Sequence, residues 1–124
     1  MFTIDRIGHV AITVPDVELT ACFYVDILGL EISDRVDGAI FLRCNTDHHC
    51  LGIYPGEARG LHHLGLEVAN EAGLAAAQAA LGRRGYEIEQ REYEEPGHGP
   101  GLCCRDPEGN RIELYAGMET VESE

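Results

Sequence analysis

A chain of 124 residues, 44% hydrophobic and 25% charged, has the composition of one globular domain, large enough to bury a core without disulfides or a structural metal. A net charge of −13 repels phosphate backbones and anionic lipid surfaces, which argues against nucleic-acid and membrane partners. Five cysteines, an odd number with no Cys-x-x-Cys spacing, argue against a disulfide framework or zinc ribbon and for a reducing compartment. The opening MFTIDRIGHVAITVPD has no basic region followed by an apolar stretch, and no uncharged apolar run is long enough to cross a bilayer. The expected location is cytoplasmic.

The first predicted element is an alternating strand in HVAITV, with His9, Ala11 and Thr13 on one face and Val10, Ile12 and Val14 on the other. A helix follows Pro15-Asp16. Asp16 is its expected N-cap, and Val17, Ala21, Tyr24 or Val25, and Leu28 keep helical spacing. LGLEIS, GAIFLRC and HHCLGIY then read as three strands. The pattern begins again at HLGLEV, an alternating strand from His63. Asn70 can cap the Ala-rich helix EAGLAAAQAALGRR, which carries Leu74, Ala77 and Leu81 on one stripe and ends at Gly85. RGYEIE matches LGLEIS, with Gly85 on Gly29 and Ile88 on Ile32, and ELYAG matches GIYPG. The spacing between equivalent residues grows along the chain because the second half carries the Gly/Pro loop EYEEPGHGPG.

The chain therefore reads as α+β, two tandem βαβββ modules (about 1–57 and 60–118) with an acidic tail at 119–124. Neither half can bury its sheet alone. The two should pack as a pair, forming a curled mixed sheet around a shared cavity. Four positions are then equivalent: His9 and Gly52 in the first module, His63 and Glu113 in the second. Three of them can bind a metal, and two imidazoles with one carboxylate and open positions form the facial triad of non-haem Fe(II) oxygenases. A lone strand histidine is more often a hydrogen-bonded structural residue than a ligand; the repeat symmetry of His9 and His63 is what favours chemistry here. His62 should face away from His63 and not be a ligand.

GHVAITV, LHHLGLEV and DPEGNRIELY, in this order, resemble the vicinal oxygen chelate superfamily of paired βαβββ modules. That group includes glyoxalases, extradiol ring-cleaving dioxygenases, epimerases and metal-free bleomycin-binding proteins. The resemblance spans nearly the whole chain and is specific for fold, not for reaction. Glyoxalase-type members fill all four symmetric positions with ligands, which Gly52 cannot do. The stretch DHHCLGIYPGEARGLHHLGLEV is similar to the metal-binding half of type I extradiol catechol dioxygenases. That likeness implies that His9, His63 and Glu113 bind Fe(II), with Mn(II) as the next choice, and that a small catechol-type aromatic and O2 meet there. His49 is implied to lie over the metal beside the oxygen site, and His98 to hydrogen-bond the substrate; a histidine with a pKa near ~6.5 can take and return a proton there. Taken as residues alone, His49 reads equally well as a strand-edge histidine, and His98 as a polar residue exposed by its loop.

Two features depart from that pattern. Cys103 stands where extradiol enzymes carry a tyrosine, a role that Tyr115 or Tyr93 would have to fill, and the segment after His98 is short. Typical members also have two further modules upstream; a small enzyme of this kind is expected to work as a homodimer. The alternatives are a glyoxalase-like metal-dependent lyase, isomerase or transferase, and a metal-free protein that sequesters a small aromatic or drug.

Overall fold

The alternation of HVAITV becomes the central strand β1 (Ile4–Val14), whose Val10, Ile12 and Val14 pack on one side and Ala11 on the other. The computed structural model describes residues 2–89 and 95–121. After β1 come α1 (Val17–Asp26), β2 (Glu31–Val36), β3 (Ala39–Arg43), β4 (Leu51–Pro55), β5 (Gly60–Val68), α2 (Glu71–Arg83), β6 (Gly101–Arg105) and β7 (Arg111–Ala116). Both helices start where the capping residues said they should: the side chains of Asp16 and Asn70 accept from the backbone N–H groups of Leu19 and Gly73. Helix α1 stops at Asp26, so Leu28 lies beyond it and is exposed, unlike the buried Val17 and Ala21. Between β2 and β3 the chain reverses on Asp37-Gly38, both at positive φ, the pairing that a two-residue hairpin favours.

The strands form one open mixed sheet in the order β2-β3-β4-β1-β5-β7-β6. Its middle pair, β1 and β5, is antiparallel, and each is flanked by a parallel strand, β4 and β7 respectively. The register exposes the internal symmetry: His9 lies opposite Gly65 and Ala11 opposite His63, while Gly52 pairs with Ala11 as Glu113 pairs with Gly65. The four equivalent positions of the sequence therefore share one face of neighbouring strands. The helices cover the other face, α1 over Ile40, Leu42, Leu51 and Ile53, and α2 over Leu102 and Leu114.

The symmetry is incomplete. RGYEIE, expected as a strand to match LGLEIS, contributes only the single bridge Glu89 to Cys103 among the described residues, and Tyr86 and Ile88 are exposed. Tyr93 lies outside the described residues. The start of the expected acidic tail is also tied down: His48 N–H donates to the Glu119 carbonyl, Glu119 N–H to Gly97, and Val121 N–H to Thr46. No helix among the described residues is long and apolar enough to cross a membrane.

Candidate metal centre

Glycine makes room for the first histidine. A Cβ placed on Gly65 would lie 2.5 Å from Nε2 of His9 and nearer still to Cε1 and Nδ1, so the His9 ring lies directly over the backbone of β5. From there its Nε2 is 3.1 Å from Nε2 of His63 and 3.5 Å from Oε1 of Glu113. All three side chains are buried. Strand pairing on both sides of β1, β5 and β7 holds their backbones.

The other two expected residues join the same cluster. His49 is fully buried, its ring centroid 5.0 Å from that of His9. His98 is not an exposed loop residue: its side chain is 1% exposed, its ring stacks 5.9 Å from His9, Nε2 is 2.9 Å from Glu113 Oε1 and Nδ1 is 2.7 Å from the Gly99 carbonyl. His62 departs from expectation. Ala11 pairs with His63 and Ile12 with Leu61, so His62 is the extra residue of a β-bulge. The bulge turns its ring towards its neighbour, Nδ1 to Nδ1 at 2.8 Å, and against Tyr54 at 4.1 Å between centroids. Metal-binding histidines usually engage their second ring nitrogen in this way.

Two site residues escaped the sequence. Glu95, counted there only among the acids that confer charge, is buried: Oε1 is 2.7 Å from His9 Nε2 and 3.0 Å from His49 Nε2, and Oε2 is 3.1 Å from His63 Nε2. Tyr54 donates its hydroxyl to Oε2 of Glu95 at 2.8 Å. A signal for Tyr54 existed, because it is the repeat mate of Tyr115; nothing in the run of acids around Glu95 marks it out. Tyr115 lies beside His9, 5.2 Å between centroids, with its hydroxyl buried against Gly8. Burial raises its pKa, which makes it a poor proton donor. Cys103 is buried with Sγ 4.0 Å from Glu113 Oε2.

The electrostatics call for a cation. Burial alone would raise the pKa of Glu95, yet hydrogen bonds from His49, His63 and His9 hold it far below the usual carboxylate range; Glu113 is held low, against burial, by His9 and His98. Burial opposes charge on His9, but hydrogen bonds to Glu113 and Glu95 win and raise it to about 9. Without a metal, a proton held on His9 offsets part of the negative charge of the two buried carboxylates.

His9, His63, Glu95 and Glu113 each offer a donor atom, all within 4.8 Å of one another. Donors about 2.1 Å from an octahedral metal stand roughly 3.0 Å apart at right angles. The separations of 2.7, 3.1, 3.1 and 3.5 Å around His9 and His63 bracket that edge, so the residues fit a divalent ion.

The family model for the Glyoxalase/Bleomycin resistance protein/Dioxygenase superfamily matches residues 6–114. The chain belongs to this superfamily. It is 32% identical over 119 residues to a manganese-dependent 2,3-dihydroxybiphenyl 1,2-dioxygenase of Geobacillus genomosp. 3, a match covering 94% of this chain and 38% of that protein. It superposes with a TM-score of 0.89 on the 2,3-dioxygenase LapB from Pseudomonas sp. KL28, at 30% identity, covering 98% of this chain and 43% of that one. It also resembles the human mitochondrial methylmalonyl-CoA epimerase, 29% identical over 125 residues, covering 86% of this chain and 69% of that protein. The chain thus spans less than half the length of these two dioxygenases.

Proposed function

We propose that the chain carries a mononuclear dioxygenase centre of the extradiol type, which opens the ring of a small catechol-type aromatic with O2. The observation that carries this is the convergence of His9, His63 and Glu113 at octahedral-edge spacing beside two further buried histidines, His49 and His98. A divalent metal there, Fe(II) first and Mn(II) next, supplies Lewis acidity and a common coordination sphere for catecholate and O2. The two strand histidines and Glu113 hold it.

His49 is kept mostly neutral by burial, which lowers its pKa, so it can accept a proton from a catechol hydroxyl entering beside it. His98 Nε2 meets Glu113 Oε1, from where it would turn to a substrate oxygen. Phe41, Ala11 and Tyr54 pack together beside Gly52, which must stay small, since a Cβ there already meets Phe41 and Tyr54 at 3.3 Å. The donor missing at Cys103 is supplied by Tyr54 from the other module. One domain of two modules, 1–57 and 60–118, working as a homodimer is the assembly we infer; exposed Leu19 and Phe23 on α1, with Ile27 at its C-cap, support self-association.

A second reading is an O2-independent lyase, isomerase or transferase. Glu95 favours it, because four protein donors leave fewer positions for O2. A metal-free sequestering protein is disfavoured by two buried carboxylates among the site histidines. Oxygen uptake by protein reconstituted anaerobically with Fe(II), on a panel of catechols with the visible spectrum recorded, decides among them. Uptake with a yellow ring-opened product is expected; tight stoichiometric metal without uptake overturns the dioxygenase reading.

A further inference from the structure

The position symmetric to Glu113 is Gly52, which offers no donor, and a Cβ there would already meet Phe41, Tyr54 and Ala11 at 3.3 to 3.5 Å. A fourth donor nevertheless reaches the centre, from a loop. Glu95 places Oε1 2.7 Å from His9 Nε2 and Oε2 3.1 Å from His63 Nε2, beside an edge of 3.1 Å between the two histidines. Its carboxylate is gripped from behind by the Tyr54 hydroxyl at 2.8 Å and His49 Nε2 at 3.0 Å. Glu113, by contrast, is fixed by a backbone paired on both sides, to β5 and to β6. Among the described residues Glu95 lies outside the named strands, and Pro96 and Gly97 follow, the latter at φ 88. The two carboxylates therefore differ: Glu113 is built into the sheet, and Glu95 reaches the centre from outside it.

We propose that Glu95 is a displaceable fourth metal ligand, a resident carboxylate that occupies the substrate's coordination site and is exchanged for the two oxygens of an arriving catecholate. This rests on the reading of the site as a catechol-binding metal centre and adds to it. Two histidines and two carboxylates make a neutral set around a divalent ion, leaving two open positions on an octahedral metal. A chelating catecholate that takes the position of Glu95 and one open position would leave the other for O2. The displaced Glu95 stays in the buried site, so it would take up a proton released by the catechol as it binds, which keeps the buried charge nearly constant. When Glu95 withdraws, the Tyr54 hydroxyl and His49 Nε2 that held it become available to the catecholate oxygens.

The test is binding, not turnover. Mn(II) affinity is measured by titration calorimetry, and the affinity of the Mn(II)-saturated protein for 4-nitrocatechol is read under argon from its visible band, in wild type and Glu95→Gln. The expected result is reciprocal: Mn(II) binds tenfold or more weakly in the variant, while 4-nitrocatechol binds the loaded variant tenfold or more tightly, having no carboxylate to displace. Tyr54→Phe, which leaves the carboxylate in place and removes one bond to it, should weaken Mn(II) by less than Glu95→Gln does; an equal or larger loss would point to collapse of the site rather than loss of a ligand. Equal Mn(II) affinity in wild type and Glu95→Gln overturns the proposal, and so does weaker Mn(II) binding with unchanged or weaker 4-nitrocatechol binding, which would mark a fixed or structural carboxylate. The reciprocal shift without oxygen uptake would sink the dioxygenase reading and leave Glu95 as proposed. Oxygen uptake with no shift would do the reverse.

Discussion

Gly65→Ala adds one methyl group at the most crowded point of the site. The new Cβ would stand 2.5 Å from Nε2 of His9, and closer to two other ring atoms, whereas carbon and nitrogen atoms in contact settle near 3.5 Å or beyond. The ring must therefore move by at least ~1 Å, about five times the ~0.2 Å tolerance of a metal–ligand distance. It cannot retreat along the sheet, because Tyr115 and His49 flank it, 5.2 and 5.0 Å between centroids. Overpacking of this kind costs about 1–3 kcal/mol of stability, a fall in Tm of roughly 4–12 °C, so the domain should stay folded at 25 °C. Losing a correctly placed first ligand should weaken Mn(II) by more than the ~10–100-fold typical of outer-shell defects. Calorimetric titration with Mn(II) and a thermal melt of the same sample measure both. A folded Gly65→Ala protein that binds Mn(II) within threefold of wild type would show that His9 is not held where the metal needs it.

Three further outcomes are expected. His63→Ala should abolish Mn(II) binding, whereas His62→Ala, which removes only the partner of His63 Nδ1, should weaken it by about tenfold; equal losses would place both histidines on the metal. For the metal-free protein the folded-state pKa of His9, about 9, lies above the ordinary 6.5. The resulting stabilisation is complete below pH 6.5 and lost as pH rises through about 9, an upper bound of about 3 kcal/mol. Urea melts at pH 6 and pH 9.5 should differ in that direction without metal, and saturating Mn(II) should erase the difference; a flat profile without metal would remove the proton from His9. Gly82→Ala, the same substitution as at Gly65 but on α2 with nothing within 4 Å, should stabilise by up to about 1 kcal/mol, and a lower Tm would contradict the open environment.

The element plan and the convergence of His9, His63 and Glu113 were legible because they depend on local periodicity. Alternation placed His9 and Glu113 on the inner faces of their strands, the caps Asp16 and Asn70 needed only short-range chemistry, and the repeat paired His9 with His63 before any contact was known. Alternation misjudged His62, because a bulge on β5 breaks the two-residue period and only the pairing with β1 reveals it. It also implied a strand at RGYEIE that forms just one bridge, since its Tyr86 and Ile88 find no surface to bury against.

Residue types and their order in the chain determined the doubled architecture, the family and a two-histidine, one-carboxylate set, because strand periodicity converts sequence position directly into face. Which loop side chains join that set was decided only in three dimensions. Glu95 and the surface acids carry the same chemistry; what separates them is the fold bringing one carboxylate within reach of His9, His49, His63 and Tyr54, where burial makes a partner for its charge obligatory.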